Sequence, residues 1–159
     1  MPNITVRQLT TDDFPLFYKW WNDRELRELT SDQYEPMEEL ETNTILAEHL
    51  GDENHFDYII ELESTPIGHI LIEKLKQHRA KFYIAIGEKS AWGKGYGTTA
   101  ILLSIENYLI KYPNTTFGLE VNQDNPRAIR AYEKAGFARI GEKHYQDSKS
   151  TFVMHKLPS

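Results

Sequence analysis

Apolar and polar residues alternate at the start of the chain, in Ile4-Thr5-Val6-Arg7-Gln8-Leu9, and this period of two predicts a strand with one buried face. Thr10-Thr11-Asp12-Asp13 then offers several caps for a helix from about Asp13 to Glu28. Its Phe14, Phe17, Tyr18 and Trp21 recur at three and four residues, the signature of a core-facing stripe. A second helix is expected from near Pro36 to about Leu50. Strands are predicted at His55–Leu62 and Ile67–Leu75, joined by the turn composition of Glu63-Ser64-Thr65-Pro66. A third, Arg79–Gly87, completes an antiparallel meander.

A helical run from Ala100 to Leu109 places Ile101, Leu102, Ile105, Tyr108 and Leu109 on one apolar face, and Tyr112-Pro113-Asn114 stops it. Thr116–Asn122 reads as the next strand. A helix capped by Asn125 follows, and two strands near Phe137–Glu142 and Thr151–Leu157 close the chain. The order β-α-α-β-β-β-α-β-α-β-β predicts an α+β fold, with a mixed, mostly antiparallel central sheet flanked by helices. At 159 residues a single domain spanning 1–159 is expected, and no internal repeat or linker interrupts it.

Between the apolar run Phe82-Tyr83-Ile84-Ala85-Ile86 and the Ala100 helix lies Trp92-Gly93-Lys94-Gly95-Tyr96-Gly97-Thr98. Strand, glycine-rich turn and helix in succession form an anion-binding pattern. Glycine lets the backbone approach a phosphate closely, and the first turn of a helix aims unpaired N–H groups at it. Spacing excludes two familiar phosphate loops. Gly87 to Gly93-Lys94 is one residue too long for GxxxxGK[ST], with Gly95 where the hydroxyl residue should stand, and Gly93, Gly95 and Gly97 miss GxGxxG.

About thirty residues later comes Asn125-Pro126-Arg127-Ala128-Ile129-Arg130-Ala131-Tyr132-Glu133-Lys134-Ala135-Gly136-Phe137. It is a well-punctuated helix, with Asn125 as N-cap, Pro126 at the first helical position and Gly136 as the stop. The pattern NxxAIRxYEKxGF after a strand closely resembles the pantetheine-side motif of the GCN5-related N-acetyltransferases. The glycine turn resembles the pyrophosphate loop of the same family, [QR]xxGx[GA], with Trp92 where Gln or Arg is commonest. A Trp-Gly-Lys-Gly-Tyr turn is similar to that of the subgroup of ribosomal-protein and spermidine N-acetyltransferases. The resemblance covers most of the chain, from the first strand to the last.

That resemblance implies an acyl-CoA N-acyltransferase fold and acetyl-CoA as cosubstrate. It implies that backbone groups of Ile84, Ala85 and Ile86 bind the pantetheine arm and that a splayed gap beside this strand holds the thioester. The pyrophosphate would rest on the amides of Gly93, Lys94, Gly95, Gly97 and Thr98, with Lys94 adding charge, and Asn125 would bond the cofactor arm. Tyr132 matches the tyrosine that protonates the departing thiolate; a phenol of ordinary pKa near 10 keeps its proton at neutral pH. Glu120, facing opposite to Leu119 and Val121, resembles the glutamate of the LEV segment in some protein N-terminal acetyltransferases. A carboxylate near pKa 4 is a poor direct base for an alkylammonium, so Glu120 would act through water. Packing of Tyr132 and ordinary strand polarity at Glu120 are the structural alternatives.

Composition narrows the chemistry further. Cysteine is absent, which excludes disulfides, thiolate metal sites and a cysteine nucleophile. No GxSxG elbow occurs either, so direct attack in a ternary complex is expected. His49, His55, His69, His78, His144 and His155 show no metal-ligand spacing; they are expected on the surface or in strands, and no metal is expected. No apolar run approaches a membrane span and no signal peptide is evident, which predicts a cytoplasmic protein without a membrane or nucleic-acid partner; a homodimer is compatible with the sequence.

Residues 23–63 hold fourteen acidic side chains against Arg24 and Arg27, whereas the rest of the chain is net basic. An acidic rim would attract a cationic acceptor and the basic part an anionic cofactor, although charge runs commonly just face water. The expected acceptor is the primary amine of a small polyamine or aminoglycoside-like cation. A protein N-terminus, and a catalytically idle acyl-CoA-binding module on the same fold, are the alternatives.

Overall fold

In the computed structural model, which describes residues 2–30, 35–146 and 148–158, seven strands form one sheet. They are β1 (Ile4–Gln8), β2 (His55–Leu62), β3 (Thr65–Lys74), β4 (Arg79–Ile86), β5 (Thr116–Asn122), β6 (Ala138–Lys143) and β7 (Thr151–Lys156). Their order is β1-β2-β3-β4-β5-β7-β6, antiparallel throughout except for the parallel pair β4–β5. Among the described residues five α-helices accompany it: α1 (Phe14–Trp21), α2 (Arg24–Thr30), α3 (Glu39–Gly51), α4 (Tyr96–Lys111) and α5 (Pro126–Lys134). The expected α+β class is the one observed, and the element order matches except that three helices, not two, lie between β1 and β2.

The expected helix from Asp13 to Glu28 divides in two. Asn22 leaves helical geometry, and the Asp23 carboxylate accepts from the Leu26 N–H at 3.1 Å, so a new N-cap starts α2. The Asn22 side chain is drawn away to the Met37 backbone, accepting at 2.8 Å and donating at 3.0 Å. Phe17 and Trp20 carry the buried stripe, while Tyr18 stays 39% exposed. On α4 the buried face runs through Ala100, Ile101, Ser104, Ile105 and Tyr108; Leu102 points to solvent, since it lies off the face that packs on β1 and β4.

Sheet alternation separates two apolar clusters. Ile60, Ile70, Ile72, Phe82, Phe117, Leu119 and Met154 face α4 and α5 in the larger one, and Leu9 and Ile59 meet Phe17 and Leu46 in the smaller. Each fully buried side chain of this size contributes roughly 1.5–3 kcal/mol. Trp20 lies so close to the backbone at Gly87 that a Cβ there would come within 2.3 Å of the indole, which explains the glycine. Where β1 turns into α1, Arg7 forks onto the buried Asp13 with two bonds of 2.8 Å. Burial pushes the Asp13 carboxyl up, but the Arg7 and Thr10 hydrogen bonds outweigh it and hold it below its ordinary value.

Candidate functional site

The glycine turn adopts the geometry its sequence demands. Gly93 and Gly95 have φ of 72° and 83°, in the left-handed region, and a Cβ at either would meet no atom within 4 Å. Only backbone conformation therefore calls for glycine in this structure, and the space beside each is open. The Gly95 carbonyl accepts from the Thr99 N–H at 3.5 Å, so the amides of Tyr96, Gly97 and Thr98 have no partner inside α4. Trp92 braces the turn by donating from Nε1 to the Ile86 carbonyl at 2.7 Å, with the Arg127 guanidinium 3.8 Å from its ring centroid.

Beside this turn a cavity of about 210 Å³ is lined by Ile84, Ala85, Ile86, Gly93, Gly95, Gly97, Thr98 and Asn125, with Arg127, Arg130 and Lys134 supplying positive charge. Lys94 is exposed and is not part of its wall. The cavity opens where the sheet parts. β4 and β5 pair only from Arg79–Thr116 to Lys81–Gly118; beyond that they splay, leaving the β5 side of Phe82 to Ile86 without a ladder. This is the splayed gap expected beside Ile84, Ala85 and Ile86.

A second cavity, about 170 Å³, continues from the gap. It shares Leu26, Leu29, Ile84, Ala85, Asn125 and Ala128 with the first, so the two meet along β4 and the start of α5. Asn125 accepts from Ala128 N at 3.3 Å as the helix cap and donates to the Leu29 carbonyl at 3.3 Å, while Asn122 donates to the same carbonyl at 2.9 Å. The two asparagines thereby fasten the end of α2 over the gap.

Tyr132 and Glu120 both line this second cavity. Tyr132 packs edge-on against Phe82 and Phe137, with centroids 6.5 and 5.7 Å away, and burial pushes its phenol far above the ordinary value, so it keeps its proton. Glu120 receives Tyr145 Oη, Thr151 Oγ1 at 2.9 Å and Lys143 Nζ at 3.4 Å. Burial raises its pKa, but these donors outweigh that and the carboxyl lies below its usual range. Such a group is a firm anion and a weak base.

Two further residues of the cavity were not anticipated: Arg27 and His69. Among the described residues Arg27 Nε and His69 Nδ1 are buried with no hydrogen-bond partner; a buried polar atom left unsatisfied in general costs roughly 1–3 kcal/mol. Burial lowers the His69 pKa to about 4, with Asp57 opposing, so its imidazole is neutral. The alternation of β3 does place His69 opposite to Ile70, but nothing local tells that this face opens onto β4 and β5. Among the described residues no carboxylate from 23–63 lines either cavity; Asp32 of that segment lies outside them. Several are paired elsewhere, Asp23 and Glu25 with Lys89 at 3.1 and 3.0 Å, and Glu61 with Arg7 at 3.1 Å. Also among the described residues, no cluster of three or more His, Asp or Glu could hold a metal, and no helix is long and apolar enough to cross a membrane.

Residues 3–138 match the family model described as an acetyltransferase (GNAT) domain. The chain is 25% identical to an aminoglycoside N(6')-acetyltransferase type 1 of Klebsiella pneumoniae, over 96% of this chain and 82% of that protein. It is 27% identical to a spermidine N(1)-acetyltransferase of Vibrio cholerae, over 95% of this chain and 92% of that one. In three dimensions it is similar to the solved structure of AAC(6')-Ib with ribostamycin and coenzyme A, at a TM-score of 0.83, 23% identity and coverage of 98% and 93%. It is likewise similar to the Vibrio cholerae spermidine N-acetyltransferase with CoA and spermine, at a TM-score of 0.84, 20% identity and coverage of 98% and 95%.

Proposed function

The chain belongs to the GNAT acetyltransferase family, as an acetyl-CoA-dependent N-acetyltransferase, and from that premise we propose that it acetylates a primary amine of a small cationic acceptor, polyamine or aminoglycoside-like, by direct attack in a ternary complex. The observation that carries the reading is the junction of the two cavities at the β4–β5 splay. One cavity has the glycine turn and three cationic side chains at its wall, and the other has Tyr132 and Glu120. The proteins it is similar to act, by their names, on aminoglycosides and on spermidine.

In this reading the amides of Gly93 to Thr98 hold the pyrophosphate, and the unpaired edge of Ile84, Ala85 and Ile86 aligns the arm so that the thioester lies at the splay. Asn125 holds α2 and α5 together around that arm. Lys94 adds charge from outside the cavity wall. Glu120, kept ionised by three donors, attracts the ammonium end of the acceptor and draws it to the reacting carbon. Tyr132 donates its proton to sulfur as the thiolate departs. The part proposed for Glu120 is thus electrostatic, since its lowered pKa makes it a weaker proton acceptor than an ordinary carboxylate.

Arg27 favours a second reading. A buried guanidinium nitrogen with no partner among the described residues suits an acceptor that brings a carbonyl oxygen, as a protein N-terminus does. Release of CoA thiol in the presence of polyamines, aminoglycosides and N-terminal peptides separates the possibilities. Turnover with the small cations alone supports the first reading, turnover confined to peptides supports the second, and thiol release with none of them rejects both.

A further inference from the structure

We propose that His69 accepts the proton that the acceptor nitrogen gives up as the amide forms, so that it is a catalytic residue of this site; the proposal rests on the N-acetyltransferase reading above. Strand pairing sets it there: His69 stands between Ile59 of β2 and Ala85 of β4, on the sheet face away from Ile70 and Ile72. Its ring is clamped by Phe17 at 4.6 Å and by Trp20 at 6.2 Å and 18°. A leucine or phenylalanine would pack against these rings without stranding a polar atom. The imidazole instead leaves Nδ1 buried with no partner among the described residues, and since His69 lines the cavity that it shares with Tyr132 and Glu120, we assign the transferred proton to the other ring nitrogen, Nε2.

Elimination among the cavity's described side chains points the same way. Tyr132 retains its proton, both Glu120 oxygens already accept hydrogen bonds from Tyr145, Thr151 and Lys143, and Arg27 is permanently cationic. The neutral imidazole of His69 keeps a ring-nitrogen lone pair that no donor among the described residues occupies. The charged and titratable groups around it are Asp57 on β2, His49 on α3, Tyr83 on β4, Glu120 on β5 and Arg27 on α2, while α1 presents the rings of Phe17 and Trp20. Asp57 favours a positive imidazole, whereas burial and His49 oppose it, so the ring waits neutral and becomes cationic only when a proton arrives.

The step balances without another reactant. The acceptor first reaches the neutral amine by giving a proton to water. Its nitrogen then bonds to the carbonyl carbon, the N–H proton passes to His69 Nε2, the carbon–sulfur bond breaks with its electron pair on sulfur, and Tyr132 protonates that sulfur. His69 afterwards returns its proton to solvent and Tyr132 regains one.

The test uses the full chain with acetyl-CoA at saturation and a polyamine acceptor. His69→Ala should lose at least tenfold in kcat while binding acetyl-CoA as the wild type does, and added imidazole should restore part of the rate in a saturable way. His69→Gln, which can hydrogen-bond but takes no proton, should stay slow at an acceptor KM near the wild-type value. Wild-type rates in either variant, or slow variants that imidazole does not accelerate although acetyl-CoA binds, would overturn the proposal. Ring ¹⁵N spectra of the wild-type CoA complex read the same contact without turnover and without a variant that must fold. Addition of the polyamine should shift Nε2 of His69, and an unmoved resonance overturns the assignment. If the wild type acetylates no amine, the function reading fails; if it acetylates the polyamine while the His69 variants or the resonance do not respond, only the His69 assignment fails.

Discussion

Replacing Tyr132 by phenylalanine removes one oxygen from a side chain that is 5% exposed. The ring contacts with Phe82 and Phe137 persist, and the hydroxyl has no hydrogen-bond partner among the described residues to lose. Folding stability should therefore hold, with a melting temperature within about 2–4 °C of the wild type, the shift that 1 kcal/mol brings in a chain of this size. Catalysis should not hold. A hydrogen bond to a developing thiolate is charge-assisted and worth about 1.5–3 kcal/mol, which converts to a loss of roughly ten- to 150-fold in kcat. Because burial raises the phenol pKa, Tyr132 stays protonated through neutral and mildly alkaline pH, and the wild-type profile should show no falling limb from this group between about pH 6 and 9. Stopped-flow detection of CoA thiol at saturating substrates reads kcat, and calorimetry reads acetyl-CoA affinity. Equal kcat for wild type and Tyr132→Phe would assign the tyrosine to packing and refute the proton-donor reasoning.

At the turn, Gly95→Val forces a branched residue into φ 83° and fills the open space beside the amides, so acetyl-CoA affinity should fall at least tenfold by calorimetry; unchanged affinity would remove the phosphate site from this loop. For a cationic acceptor the apparent KM should rise with salt as the Debye length contracts from about 10 Å at 0.1 M to about 3 Å at 1 M, and neutral amines should respond less. Glu120→Gln should raise that KM several-fold, and Gln at the exposed Glu38 and Glu39 should change it by less than about twofold, since neither lines the cavity; steady-state kinetics at two salt concentrations check both. Asp13→Ala should cost roughly 2–3 kcal/mol in urea unfolding, below the roughly 3–5 kcal/mol of a fully buried pair because Arg7 is 36% exposed. The Asp13 carboxyl titrates below its ordinary value when folded, so its contribution is complete above about pH 4 and disappears as pH falls through that lower value; in the variant this acid-side loss should be missing.

Local patterns carried most of the architecture. Alternation marked the strands, and Asn125, Pro126 and Gly136 bounded α5 by chemistry that acts over one turn. The glycine turn was legible for the same reason, since a left-handed backbone and an open helix start are properties of neighbouring residues. What stayed hidden depends on distant pairing. The break at Asn22 is stabilised by Met37, fifteen residues on, and the donors that hold Glu120 ionised come from the β6–β7 hairpin. His69 and Arg27 acquire their place only when β3, β4, β5 and α2 meet around the splay. Charge summed along the acidic segment does not tell where its side chains go: in the fold Asp23, Glu61 and Asp52 pair with Lys89, Arg7 and His55.

The proposed reaction is direct transfer of acetyl from acetyl-CoA to an amine at the β4–β5 splay. A single-turnover experiment with acetyl-labelled acetyl-CoA and excess enzyme, quenched with and without a polyamine or aminoglycoside, addresses it. The label is expected in the amine at the rate at which CoA thiol is released, and without an amine it should stay on CoA with none on the protein. Label bound covalently to the protein, or label that never reaches any amine while acetyl-CoA remains bound, would contradict it.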